Sequence, residues 1–269
     1  MAGNFWQSSH YEEWILDKQD LSAKRKSDLQ HLTEEEYQKI IILFANFIQA
    51  LGESVKLRQQ IIATATVYFK RFYSRNSLKC VDPSLMSPTC LLLAMKVEEY
   101  GPTLSNKIMT SCNNLTKGKF QYAFKQEYPY RLVNVLECEF ILLEMMDCCL
   151  IVYHPYRPLT EYCAELNDDS ILPLAWRIVN DSLRTDACLL YPPYLIAIAA
   201  MHLACVMLKK DCQKWFAELS VDFDMILEIT QLLLALYDLW RDGYDEKRDI
   251  YAILEKMPKA KTNPVAPRS

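Results

Sequence analysis

Apolar residues recur three and four positions apart in one segment of the chain after another, and runs that alternate apolar with polar residues are nearly absent. Helices with one buried face produce that spacing, so the fold class predicted is all-α. The clearest stripe follows Thr33-Glu34-Glu35-Glu36, a capping box in which the Thr hydroxyl and the last carboxylate satisfy free backbone N–H groups. After it Tyr37, Ile40, Ile41, Phe44, Phe47, Ile48 and Leu51 share one side, and Gly52 is expected to end the helix. A second box, Ser9-His10-Tyr11-Glu12, is expected to open a short N-terminal helix carrying Trp14, Ile15 and Leu16. A helix over residues 58–75 turns Ile61, Ile62, Ala65, Tyr68, Phe69 and Phe72 inward, with Lys70 and Arg71 near the end where cations suit the helix dipole.

A different kind of helix starts at Pro83 or Pro88 and runs to Tyr100. Cys90, Leu91, Leu92, Leu93, Ala94, Met95 and Val97 make it apolar on nearly every side, so it must lie inside a bundle. Helices near 106–113 and 129–147 complete a first group of five, with 115–128 as a loop between them. Residues 149–158, CLIVYHPYRP, read as a connection or a lone strand. Helices near 159–166, 172–183, 193–208, 212–219 and 222–240 follow, and the third is again wholly apolar and preceded by prolines. The recurrence at ~110 residues, from Pro83 to Pro193, is a repeat of architecture and predicts two tandem five-helix bundles. The expected segments are an N-terminal helix and linker (1–32), a first bundle (33–150), a second (151–242), and a C-terminal helix with a disordered tail (243–269).

Composition removes several classes of function. Lys plus Arg number 30 against 34 for Asp plus Glu, a net of −4, so there is no global positive field for a phosphate backbone and direct nucleic-acid binding is not expected. The most apolar stretch, 194–208, is too short to cross a bilayer, so no membrane partner is expected. Five scattered glycines offer no phosphate-cradling loop. The four histidines lack ligand-like spacing to the ten cysteines, which argues against a metal site, and the cysteines read as reduced core residues. No nucleophile context or pair of acids stands out, so no enzyme, catalytic residue or cofactor is expected.

Some residues sit where pattern alone does not put them. Lys96 follows Leu92 and Leu93 by four and three, and Glu139 follows Val135 and Leu136 by four and three; each projects a charge from an apolar face. They are candidates for a mutual ion pair or a shared partner surface, the alternative being that both reach to water at the bundle edge. Glu98 and Glu99 read as a solvated helix end. Phe5 and Trp6 precede the first cap and are expected to dock on their own chain or on a partner. Trp176, Asn180 and Asp181 share one helical face, either as a partner groove or as internal packing. His202, on the apolar helix, is expected to be a satisfied core histidine.

LRQQIIATATVYFKRFY from Leu57 and PTCLLLAMKVEEYG from Pro88 resemble the cyclin box, and the tandem five-helix repeat is the architecture of the cyclin family. NFWQSSHY from Asn4, MDCCLIVYHPYRPL from Met146, LAWRIVNDSLRTDACLLYPP from Leu174 and KWFAELSVD from Lys214 resemble the branch that serves the Mediator kinase module. The resemblance extends to about Pro258 and implies a regulatory subunit, not an enzyme. It would bind and activate a Mediator-associated cyclin-dependent kinase, contact other kinase-module subunits, and regulate RNA polymerase II transcription in the nucleus. By resemblance, Lys96 and Glu139 match the Lys and Glu with which cyclins grip the kinase C-helix, with Glu98 and Glu99 on the same edge. Trp6, Trp14 and Lys26 match an N-terminal segment that adds kinase contacts, and Trp176, Asn180 and Asp181 match a groove for other module subunits. Two departures stand out: Met95 occupies the place of a small serine, and Ile40-Ile41-Ile42-Leu43-Phe44 replaces the substrate-docking patch of cell-cycle cyclins, which argues against Arg-x-Leu recruitment. The competing readings are a two-box transcription-factor core of the general factor IIB type and a non-catalytic helical scaffold.

Overall fold

The structure, a computed structural model, describes residues 3–100, 105–124, 126–166, 168–241 and 246–257. In chain order a 3-10 turn (Phe5–Gln7) precedes α1 (Ser9–Trp14), α2 (Lys18–Arg25), α3 (Glu34–Ser54), α4 (Gln59–Arg75), α5 (Pro83–Val97), α6 (Ser105–Lys117) and α7 (Leu132–Met145). Then come α8 (Tyr156–Glu165), α9 (Leu172–Ser182), α10 (Ala187–Leu190), α11 (Pro193–Leu208), α12 (Gln213–Glu218), α13 (Phe223–Arg241) and α14 (Glu246–Lys256). No strand occurs among the described residues; of 149–158, residues 149–155 form a connection and 156–158 already belong to α8. The chain divides into two compact units, Asp17–Leu150 with Asp245–Ser269 and Met1–Leu16 with Ile151–Tyr244.

In the first unit, α5 is the central helix and packs against α3, α4, α6 and α7. Every residue from Pro83 to Met95 is buried, as a helix without a polar face requires. Pro83 opens it at a position where the missing N–H is harmless, and the Asp82 carboxylate caps Ser84 N at 2.8 Å. The Thr33 capping box forms as expected, with Glu36 N–H on Thr33 Oγ1 at 3.1 Å and Thr33 N–H on Glu36 Oε2 at 2.9 Å. Gly52 does not end α3, which continues to Ser54; the reversal is made by Lys56 at φ 59°. Arg71, near the end of α4 where a cation suits the helix dipole, is 1% exposed and also donates from Nη1 to Cys149 O at 3.1 Å. Tyr68 Oη donates to Leu150 O, so α4 fixes the end of this unit through two buried donors. α6 runs on to Lys117, into the segment expected to loop, because Ile108, Cys112 and Thr116 extend its buried face.

In the second unit α11 is the buried centre, packed against α8, α9 and α13. The N-terminal cap is Ser8, one residue before the expected Ser9; its hydroxyl accepts from Tyr11 N–H. The segment is held by its own unit. His10 Nδ1 accepts the Tyr153 N–H at 3.0 Å, Leu16 N–H donates to Leu189 O at 2.7 Å, and Trp14 is fully buried. The one-turn α10 and the polar α2 were not expected from periodicity, being too short or too hydrophilic to carry a stripe. The tail expected to be disordered beyond Met257 lies outside the described residues.

Candidate functional site

The last turn of α5 and the middle of α7 bring two charges together. Lys96 Nζ lies 2.7 Å from Glu139 Oε1 and 2.6 Å from Oε2, so one ammonium holds both carboxylate oxygens. The burial is unequal: the Glu139 side chain is 10% exposed and that of Lys96 47%. Of the two readings open at the sequence, mutual pairing is the one the structure adopts. Beside it, Glu98 accepts from Gln60 Nε2 and Thr64 Oγ1, both at 3.3 Å, and so turns toward α4. Glu99, at φ 52°, is exposed at the helix end. Met95 is buried, so the larger side chain in place of serine fills core space.

α7 carries a feature that the sequence reading missed. Val133, Leu136 and Phe140 are 62%, 38% and 74% exposed, at spacings of three, four and seven that place them on one face. The opposite face, Val135, Cys138 and Leu142, is buried. A helix apolar on both faces is normally enclosed. Among the described residues no element covers one face, and Glu139 stands at the border between the two. The signal was present in LVNVLECEFILLEM, whose apolar residues exceed what one buried face uses.

The remaining candidates divide between the units. Lys26 is exposed at the end of α2 in the first unit. In the second unit Trp6 is 51% exposed and lies against Tyr194 and Tyr11, with ring centroids at 5.6 and 5.0 Å, whereas Trp14 has no exposed surface and holds the segment in place. Trp176 stacks on Tyr156 at 4.5 Å, and Tyr156 Oη donates to Asn180 Oδ1 at 2.8 Å. Tyr237 Oη donates to Asp181 Oδ2 at 3.2 Å and Arg184 pairs with Oδ1 at 3.4 Å. Burial raises the Asp181 carboxyl above its usual range, against the lowering effect of Arg184 and Tyr237. This face is therefore built by side chains of its own unit, with Trp176 still half-exposed. Ile40 to Phe44 are all buried and offer no surface patch. Among the described residues no cluster of potential metal ligands occurs, and no helix is long and apolar enough to cross a membrane.

Comparison with known proteins decides the family. The cyclin N-terminal domain matches residues 9–151 and the cyclin C-terminal domain residues 154–240. The chain belongs to the cyclin family. This cyclin is 59% identical to Cyclin-C of Drosophila melanogaster over 266 residues, covering 98% of this chain and 99% of that protein. It is 58% identical to Cyclin-C of Rattus norvegicus over 265 residues, 98% of this chain and 93% of the relative, and 33% identical over 290 residues to that of Caenorhabditis elegans, 98% and 95%. Its fold is similar to a chain of the CAK complex of Chaetomium thermophilum bound to ATP-gamma-S, with TM-score 0.73 at 23% identity, covering 95% of this chain and 88% of that one. A chain of the yeast TFIIK complex matches with TM-score 0.63 at 22% identity, over 85% and 100%. The family match favours a regulatory cyclin over a general factor IIB type core.

Proposed function

We propose that this cyclin binds and activates a cyclin-dependent kinase of the Mediator kinase module and so regulates RNA polymerase II transcription in the nucleus. The observation that carries the reading is the ion pair of Lys96 with Glu139 at the edge of the uncovered apolar face of α7. A protein kinase is active when its C-helix sits inward, so that a strand Lys and a helix Glu pair near the ATP phosphates. Moving that equilibrium from 1:99 to 99:1 needs about 5.5 kcal/mol of differential binding. An apolar face supplies burial, and a charge pair with a half-exposed ammonium supplies directional contacts that fix register. The high identity to proteins called Cyclin-C supports the Mediator-associated branch. The structural neighbours come from kinase complexes, one of them described as an RNA Pol II CTD kinase, which supports a transcriptional kinase as partner. Under this reading Glu98, Glu99, Trp6 and Lys26 add kinase contacts, Trp14 positions the segment bearing Trp6, and the face of Trp176, Asn180 and Asp181 meets other module subunits.

The test is activity of the purified Mediator-associated kinase with and without this cyclin, wild type beside Lys96→Ala and Glu139→Ala. Activation by wild type, and its loss in variants that remain folded at the assay temperature, is the expected result. Absence of binding by the wild-type chain would sink the proposal.

A further inference from the structure

In the second unit a cavity of about 630 Å³ lies at the end of α11, with His202, Cys205, Cys212, Phe216 and Phe223 among its walls. Two free thiols meet there: Cys212 Sγ is 3.1 Å from Cys205 Sγ. The backbone holds them so. α11 ends on Lys209 in the left-handed conformation, at φ 54°, and Lys210 N–H donates back to Cys205 O at 2.9 Å. The chain therefore reverses over the last helical turn and returns Cys212, the cap of α12, to the side of Cys205. Lys210 is further pinned by Asp168 at 2.7 Å. A disulfide needs its sulfurs about 2.05 Å apart, so closure requires the two sulfurs to approach by about 1 Å. The two thiols differ in access: Cys205 is 2% exposed, whereas Cys212 is half-buried and lines the cavity.

We propose that Cys205 and Cys212 are a reversible modification site, at which a peroxide entering the cavity joins them as a disulfide. Cys212 is the point of entry. Its sulfur attacks one peroxide oxygen, the O–O bond breaks, and the thiol proton leaves with the other oxygen as water, giving a sulfenic acid on Cys212. The Cys205 sulfur then displaces the sulfenic oxygen, which leaves as a second water with the Cys205 proton, and the S–S bond forms. Two thiols lose two electrons in total and one peroxide is reduced to two waters. Burial, followed by the neighbouring Cys212, pushes the Cys205 thiol up to about 12, so Cys205 is not the thiol that meets the peroxide first. Cys163 is the competing partner, since it is buried close enough for the Cys212 charge to raise its thiol to about 11 after the larger effect of burial.

The experiment uses the full chain treated with hydrogen peroxide, then N-ethylmaleimide, then trypsin. Cleavage after Arg184, Lys209, Lys210 and Lys214 separates residues 185–209 from 211–214, so only a bridge keeps these peptides together. Expected is a linked pair lighter by two hydrogens than the sum of its parts, with fragmentation placing the bridge at Cys205. It is lost on dithiothreitol treatment and in Cys212→Ser, and kept in Cys163→Ser. Should Cys205→Ser fail to fold, Cys212→Ser carries the control, because its side chain is partly solvated. A bridge to Cys163 or Cys188, or Cys212 recovered as thiol or sulfinic acid without any linked pair, overturns the proposal.

Discussion

Gly52 of α3 lies so close to Ile62 of α4 that a Cβ on the glycine would stand 2.4 Å from Ile62 Cγ1 and 2.7 Å from Cδ1. Both residues are buried, and Ile62 is 1% exposed. Without a Cβ, Gly52 lets the Ile62 side chain pack directly on the α3 backbone, which accounts for a glycine inside a helix where it is otherwise disfavoured by ~1 kcal/mol. Gly52→Ala is therefore expected to destabilise by about 1–3 kcal/mol, overpacking outweighing the propensity gain. Urea denaturation of Gly52→Ala, Ile62→Ala and the double variant checks it. The double variant should lose less than the sum, and additive losses would remove the steric explanation.

The ion pair of Lys96 with Glu139 is asymmetric, and removal of either partner should differ accordingly. Lys96→Met leaves a carboxylate that is 10% exposed without its cation, while Glu139→Gln leaves an ammonium that already reaches water. Since unpaired buried charge is the costly species, Lys96→Met is expected to lose about 1–2 kcal/mol and Glu139→Gln under ~1 kcal/mol, after allowance for solvent screening at the Lys. Denaturation midpoints of the two variants test the order. A larger loss for Glu139→Gln would mean that Glu139 matters through contacts other than its cation.

Phe140 is 74% exposed, so its ring contributes little to folding and much to any surface that covers it. Phe140→Ser should leave stability within about 0.5 kcal/mol of wild type. If the α7 face docks the kinase, the same change should weaken kinase binding by about tenfold or more, as expected of an aromatic anchor near an interface centre. Isothermal calorimetry with the purified kinase reads this directly. Val135→Ala, on the buried face of the same helix, should give the opposite pattern, with lost stability and retained affinity per folded molecule.

The contrast between Phe140 and Val135 also shows what could be read from sequence. Periodicity located the long helices because burial of one face repeats every three to four residues, and it identified α5 and α11 as central because only a fully enclosed helix tolerates apolar residues all round. The same rule failed for α7, where the apolar surplus faces outward; a pattern records that a side chain avoids water, not which molecule covers it. Lys96 and Glu139 stood out as charges on apolar faces, but their choice between pairing and solvation depends on the approach of α5 to α7, 43 positions apart in the chain. Gly52 was misread for a related reason: it reads locally as a helix breaker, when its tertiary neighbour Ile62 determines its place, and the bond of Arg71 to the Cys149 carbonyl is likewise tertiary and leaves no trace in the periodicity.

His202 supplies a pH-dependent contribution whose sign follows from its surroundings. The imidazole stands edge-on to Phe216 and Phe223, with centroids at 5.1 and 5.7 Å and interplanar angles of 87° and 86°, and its buried Nδ1 has no hydrogen-bond partner among the described residues. It is thus not the satisfied core histidine that its place on an apolar helix suggested. Burial disfavours the imidazolium and lowers the pKa from 6.5. Lys209, Lys210 and Asp211 also line the cavity, with Lys210 paired with Asp168, and burial is the cause of the shift. Below 6.5 the unfolded chain takes up a proton that the folded chain resists, so the contribution of His202 is complete above the unfolded pKa and is lost as pH falls through the folded one. Denaturation midpoints at about pH 7.5 and about pH 5.5 should therefore fall further for wild type than for His202→Gln, which cannot titrate. Comparing the two chains cancels the carboxylates, which titrate alike in both. Equal falls would mean that the ring is protonated as readily in the folded chain as in the unfolded one, and that the aromatic walls do not exclude the charge.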